Sequence, residues 1–461
     1  MTTPHLHRSI GRFDATALVV GSMIGSGIFI VSAESSRVVG SPGWMLAAWV
    51  IAGTLTMIAS LSCAELAAML PRAGGQYVFF REAYGPLFGF LFGWTLFLVV
   101  QTGTIAAVAV AFARFTGVLV PSVSSANVLV ALGPVKVSAV QGLALVVILL
   151  LTASNATGLK TGTVTQNVFT VAKFAALAAL TVFGLVLGGG PNAALRSEGF
   201  FRAALPSGET LTGLALVFAL GTAMVGPLFS QSAWNNVTFA GEEIREPAKT
   251  LPFALLFGCL VVTAVYVLAN LAYLNVLPFA AVQRPPEDRL ATAVATTLFG
   301  AGAAKAMAAA IMVSTFGCVN GLILSGARVS FAMARDGHFF AGLARLNRAS
   351  VPANALWAQG AWACLLVLSG TYSDLLKYVI SVDILFFVLL VMSVIVLRVK
   401  RPEWPRPFRA PGYPLLPLLY ALAGVALIAI LLKGNPRTTW PGYALCLSGV
   451  PIYFLWRQRA G

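Results

Sequence analysis

The sequence predicts an all-α membrane protein of twelve transmembrane helices, and three observations predict it. Of 461 residues 58% are hydrophobic and 10% charged, with a mean hydropathy of +0.87, whereas a soluble chain carries about 25% charged residues. Apolar runs of the ~20 residues that cross a bilayer recur twelve times between charged or Pro/Gly-rich breaks. Lys and Arg collect in alternate loops. No polar stretch is long enough to clothe a soluble domain, so the bilayer must act as solvent.

The runs fall near residues 14–38, 44–69, 86–118, 138–158, 163–189, 211–240, 252–276, 291–334, 355–371, 374–397, 414–432 and 439–457. The eighth is long enough to extend beyond the bilayer. Residues 1–13 are polar and basic, without the apolar core and cleavage site of a signal peptide, so the first run serves as its own insertion signal. With the N-terminus inside, 17 Lys and Arg fall on the cytoplasmic side and 8 on the other. That excess places both termini in the cytoplasm of a cell inner (plasma) membrane protein.

The net charge of +15 is distributed by the same rule, so it marks no nucleic-acid surface. Cys63, Cys259, Cys318, Cys364 and Cys446 all lie in apolar runs without metal or disulfide spacing. The only histidines, His5, His7 and His338, lie in predicted cytoplasmic segments. These patterns predict no metal, no cofactor and no catalytic constellation. A membrane enzyme is disfavoured on that ground, and a channel by the lack of a repeated filter or charge ring.

Two runs are interrupted in corresponding places. The first reads VVGSMIGSGIFI, with Gly21, Gly25 and Gly27 near its middle; the sixth reads ALGTAMVGPLFSQSAWNN, with Gly221, Gly226 and Pro227. Gly costs about 1 kcal/mol in a helix and Pro about 3. Breaks in the first and sixth runs suggest two five-helix halves of opposite topology, their broken helices meeting at the midplane, followed by two further helices. The domain pattern is then 1–13 cytoplasmic, 14–189 first repeat, 190–210 extracytoplasmic loop, 211–398 second repeat, and 399–461 the last two helices with a short tail. Close helix packing is the alternative use of such glycines.

A broken helix solvates a zwitterion without water. The N-terminal end of one half offers unpaired N–H groups and a partial positive charge to a carboxylate, and carbonyls at the other half's C-terminal end accept from an ammonium. Gly25, Ser26 and Gly27 let a carboxylate approach the backbone. Phe229, Ser230, Gln231 and Ser232 follow Pro227 and are placed to present carbonyls and polar side chains.

The stretch ATALVVGSMIGSGIFI resembles the first-helix signature of amino acid permeases. ELAAMLPRAGGQYVFFREAYGPLFGFLFGW, VTQNVFTVAKFAAL, FSQSAWNNVTFAGEEIREPAKTLPFAL and STFGCVNGLILSGARVSFAMARDGHF resemble later segments of the same group in the same order. Together they are similar to the amino acid/polyamine/organocation superfamily, nearest its L-type amino acid transporter branch. The resemblance implies the leucine-transporter inverted-repeat fold, alternating access, and usually sodium-independent exchange of amino acids. It puts Ser22, Met23, Ile24, Gly25, Ser26 and Gly27 around the substrate's carboxylate and amine, makes Phe229 a lid, and matches Trp234 and Asn235 to a pair just after the break. Where such permeases usually carry glycine pairs before that tryptophan, this chain has Ser232 and Ala233, which implies a smaller pocket and small to medium neutral substrates.

Asp383, about ten residues into the tenth run, aligns loosely with a substrate-facing Asn or Asp; it hydrogen-bonds within the site, selects a positive side chain, or packs and caps in the bundle. A proton-coupled carrier of cationic amino acids or polyamines is the alternative function, with Asp383 and Glu65 supplying negative charge. Glu65 is otherwise expected to pair with an arginine, and Arg114, Lys305, Arg328 and Lys377 to snorkel. Lys173 lies ~15 Å along the fifth run, near mid-depth. Relatives with the matching lysine are sodium-independent, which implies that its ammonium stands in for a sodium ion. The loop PSVSSANVLVALGPVKV lacks the cysteine through which heteromeric relatives join a heavy chain, so no disulfide-linked partner is expected there.

Overall fold

Apolar runs bounded by Ser, Pro or Gly become long helices. The computed structural model describes residues 6–132, 135–205, 208–369 and 372–460; His5 and the side chain of Lys377 lie outside the described parts. The chain opens with α1 (Arg12–Met23), α2 (Gly27–Val39), α3 (Pro42–Met69), the short α4 (Gln76–Tyr84) and α5 (Pro86–Leu119). A hairpin of β1 (Val128–Leu132) and β2 (Val135–Ser138), paired antiparallel with Val130 opposite Val137, leads to α6 (Ala139–Thr157) and α7 (Leu159–Leu187). Next come α8 (Gly213–Ser230), α9 (Pro247–Val276), α10 (Leu290–Phe299) and α11 (Ala303–Arg335). The chain closes with α12 (Ala353–Ser369), α13 (Tyr372–Lys400), α14 (Leu415–Gly434) and α15 (Pro436–Ala460).

Local chemistry sets several starts. The Ser41 hydroxyl accepts from Trp44 N ahead of Pro42 at the head of α3, and Ser138 and Gln141 form a capping box on α6. Among the described residues nine helices are long and apolar enough to cross a membrane, and the pair α1 and α2, bent by 41° at its break, makes a tenth. The run expected as one element over 291–334 is two helices, parted at Gly300, whose φ of +81° glycine adopts without strain.

The sixth run also differs from expectation. Helix pauses for a single turn residue at Met224, resumes through Gly226 and Pro227 to Ser230, and the chain unwinds fully at 231–235, with Ala233 at φ +67°. Pro227 has no N–H for the carbonyl four residues back, but the Ser35 hydroxyl on α2 donates to that Ala223 carbonyl at 2.9 Å. A neighbouring helix thus supplies the bond that Pro removes, and the helix survives.

The two faces of the bundle are unlike. On the face carrying the N-terminal segment, three backbone stretches lock together: Ser9 N and Ile10 N donate to Glu243 O, Arg245 N donates to Ile10 O, and Gly74 N donates to Phe239 O. Side chains reinforce the closure. Arg335 pairs with Glu242 at 2.6 Å, and Arg81 with Asp336. Burial raises the Glu242 carboxyl, but the hydrogen bonds and charge of Arg335 outweigh it and hold the group below its ordinary range. Glu65 does pair with arginine: Arg398 donates to it twice, at 2.9 and 2.6 Å, and the Ala410 amide adds a third bond at 2.7 Å.

Arg328 does not snorkel. It is buried at 1% exposure and forks onto Glu243, Nε and Nη2 each 3.1 Å from a carboxylate oxygen. The unwound stretch after α8 brings Glu243 to the flank of α11, and a planar guanidinium satisfies both oxygens there.

Candidate substrate site

The break between α1 and α2 strands the last carbonyls of α1. Gly25 N, which in continuous helix would serve Gly21 O, turns back to Met23 O at 2.9 Å. Side chains from three other helices take over. Lys173 on α7 donates to Gly21 O and, at 2.8 Å, to Ile24 O. Cys318 on α11 donates to Ser22 O at 3.2 Å, and Tyr266 on α9 to Met23 O at 3.0 Å. Ser314, also on α11, reaches Ile24 O at 3.2 Å and Gly25 O at 3.3 Å. The break is therefore held open by specific donors. No feature of the run itself pointed to Cys318, Ser314 or Tyr266, because each lies more than two hundred residues along the chain.

Lys173 does more than fill a gap. It is 1% exposed, and its Nζ also lies 3.4 Å from Ser314 O, so one ammonium joins the broken first span to α11. Three carbonyl acceptors are the surroundings that make a lysine tolerable at this depth.

On the other side of the break, α2 begins at Gly27 with Ser26 at its N-cap. Its first-turn amides and the positive end of its dipole face back toward the gap, the arrangement that receives a carboxylate. A Cβ at Gly27 would lie 2.2 Å from Ser230 Oγ and 3.2 Å from Ser230 Cα, so glycine there lets α2 and α8 touch. A Cβ at Gly25 would meet only Cys318, at 3.3 Å.

Two cavities adjoin this region. A vestibule of about 1030 Å³ opens on the face away from the N-terminal segment, lined by Ile30, Val31 and Glu34 of α2, Arg114 of α5 and Phe229 of α8. Behind it lies a cavity of about 30 Å³, lined by Thr56, Gln231, Ser232, Asp383 and Tyr420 as well as Phe229. Phe229 and Ile380 are common to both and lie where the two meet.

The expected site residues divide accordingly. Phe229, Ser232 and Asp383 reach a cavity, whereas Ser22, Met23, Ile24, Gly25, Ser26 and Gly27 are buried behind the vestibule floor and line neither. Ser230 packs on Gly27 and donates to Gly226 O at 2.9 Å. Asn235 is turned away, its amide donating to Gln76 at 2.9 Å, and Trp234 is 2% exposed and stacked on Phe387 with ring centres 5.3 Å apart. Ala233 lines neither cavity, so only Ser232 adds bulk to the pocket wall.

From residue 10 to residue 452 the sequence matches the family model described as amino acid permease. The chain belongs to the amino acid permease family. It is 32% identical over 467 aligned residues to the human large neutral amino acids transporter small subunit 2, covering 98% of this chain and 82% of that protein. It is 29% identical to the human b(0,+)-type amino acid transporter 1, covering 98% and 88%, and 30% identical to the mouse Asc-type amino acid transporter 1, covering 98% and 82%. The permease is thus an amino acid transporter of the amino acid/polyamine/organocation superfamily and not an enzyme. Its broken first helix and the vestibule leading toward it are the parts of the fold on which transport chemistry can act.

Proposed function

We propose that this permease is a sodium-independent exchanger of small to medium neutral L-amino acids that works by alternating access, with the α1–α2 break as the zwitterion site. The observation that carries the proposal is Lys173: its ammonium ties Gly21 O and Ile24 O of the first span to Ser314 O of α11, a bridge that otherwise calls for a bound cation. The wide vestibule, with the opposite face locked by backbone and ion-pair contacts, is one end state of such a cycle. Phe229, between vestibule and inner cavity, acts as the lid over bound substrate. Neutral substrates are favoured by the relatives whose names specify large neutral amino acids and by the bulk of Ser232.

Counting α12 and α15 with the ten spans gives twelve, arranged as repeats over 14–189 and 211–398 with two helices appended. The locked face is the cytoplasmic side of the plasma membrane, where the basic loops fall. The chain works without a disulfide-linked heavy chain, since the loop from α5 to α6 contains no cysteine. The test is uptake into proteoliposomes under sodium or proton gradients imposed in turn, with or without internal amino acid. Dependence on internal amino acid alone is expected. Sodium-driven accumulation would overturn the proposal, and proton-driven accumulation of basic amino acids would favour the carrier of cationic substrates.

A further inference from the structure

The cavity behind Phe229 contains a carboxylate with no counter-ion among the described residues. Asp383 projects from α13 between α3, α8 and α14. No described residue donates a hydrogen bond to it, and no described cation lies within ion-pair distance. The polar groups around it are those of Thr56 on α3, Gln231 and Ser232 beyond α8, and Tyr420 on α14. Two of these are already committed: Gln231 accepts from Thr263 at 3.0 Å, and Ser232 donates to Phe229 O at 2.7 Å. Among the described residues facing the carboxylate, Tyr420 alone is titratable, and none is basic. An isolated anion in such surroundings is strongly disfavoured. About 30 Å³ has room for little beyond a water, which excludes the side chain of a basic amino acid in this conformation.

We propose that this cavity is a proton site: Asp383 accepts a proton from vestibule water when Phe229 stands aside, and holds it while Phe229 seals the cavity. The O–H bond forms on a carboxylate oxygen, the proton comes from hydronium in the vestibule, and it returns there when Phe229 moves aside again. Sealing an ionised Asp383 would strand a charge, so closure is favoured when the vestibule is acidic. This rests on Phe229 being the lid of the exchange cycle proposed above.

The test is exchange of labelled neutral amino acid in proteoliposomes as external pH runs from about 5 to 8, for wild type, Asp383→Asn and Tyr420→Phe. The wild-type rate should fall at least several-fold as pH rises. Asp383→Asn, neutral and of the same shape, should exchange at a rate that does not change with pH, and Tyr420→Phe should keep the wild-type profile. Substrate-induced thermal stabilisation of the purified Asp383→Asn protein reports that it is folded and binds. A flat wild-type profile with exchange intact, or an unchanged profile in Asp383→Asn, would overturn the proton site and leave the exchange reading standing. Loss of binding of basic amino acids alone in Asp383→Asn, with no change in pH profile, would make the cavity a subsite for a cationic side chain and likewise overturn it. Wild type that exchanges no amino acid at any pH would overturn both.

Discussion

Replacing Lys173 with Ala removes one ammonium and, among the described residues, the only side-chain donor to Gly21 O, while Ile24 O keeps the Ser314 hydroxyl at 3.2 Å. A hydrogen bond to a charged group contributes about 1.5–3 kcal/mol, and three carbonyls share this one ammonium. Relief of the buried charge offsets part of the loss. A net weakening of about 3 kcal/mol in the tie between the broken span and α11 is the result, and this corresponds to roughly a hundredfold in an equilibrium or a rate. Exchange of labelled amino acid by Lys173→Ala proteoliposomes should therefore drop by about two orders of magnitude in sodium-free buffer. Lys173→Arg should not rescue it, since a planar fork cannot converge on three carbonyls as a compact ammonium does. Transport by Lys173→Ala at the wild-type rate would refute the reasoning.

Five further substitutions have outcomes set by the geometry. Gly25→Val should abolish uptake by filling the backbone approach and crowding Cys318, and Ser26→Ala should weaken substrate binding by roughly 1 kcal/mol; normal uptake by Gly25→Val at wild-type membrane levels would contradict the carboxylate site. Phe229→Ala should merge the two cavities, and rapid-mixing measurements should then find substrate bound but released before occlusion. Exchange at the wild-type rate would mean that Phe229 only packs. Arg328→Ala leaves Glu243 buried and unpaired, a loss of about 3–5 kcal/mol, which should appear as a large fall in thermal stability in detergent. Ala233→Gly removes a left-handed alanine and should raise that stability by about 1 kcal/mol, with transport retained.

How much of this was legible beforehand varies with the range of the interaction. Helix positions and the break at Ile24 to Ser26 follow from local composition, since consecutive apolar residues and glycines act where they stand. Lys173 was legible as well, because a lysine at mid-depth must find oxygen partners nearby. In the sixth span the helix pauses at Met224, within the expected stretch, but the wider unwinding falls beyond Pro227, because Pro227 is a local signal whereas Ser35, which compensates it, sits in another helix. Arg328 was misjudged for the same reason, its partner Glu243 lying 85 residues earlier and beyond an unwound segment. The amide of Asn235 donates to Gln76, 159 residues away, a partner that no local pattern shows.

The contact between α2 and α8 carries an evolutionary consequence. Within two turns the helices are joined by the Ser35 bond to Ala223 O at 2.9 Å and by two glycines: a Cβ on Gly27 would strike Ser230, and one on Gly226 would come within 2.1 Å of the Val31 side chain. Such an interface couples substitutions across it. A methyl group at 226 fits only in a background where residue 31 has lost its branch, and Pro227 can persist only while residue 35 keeps a hydroxyl. Descendants of this sequence should therefore change positions 31 and 226 together, and 35 and 227 together, a pairing that selection for transport after random mutagenesis of the two helices would reveal.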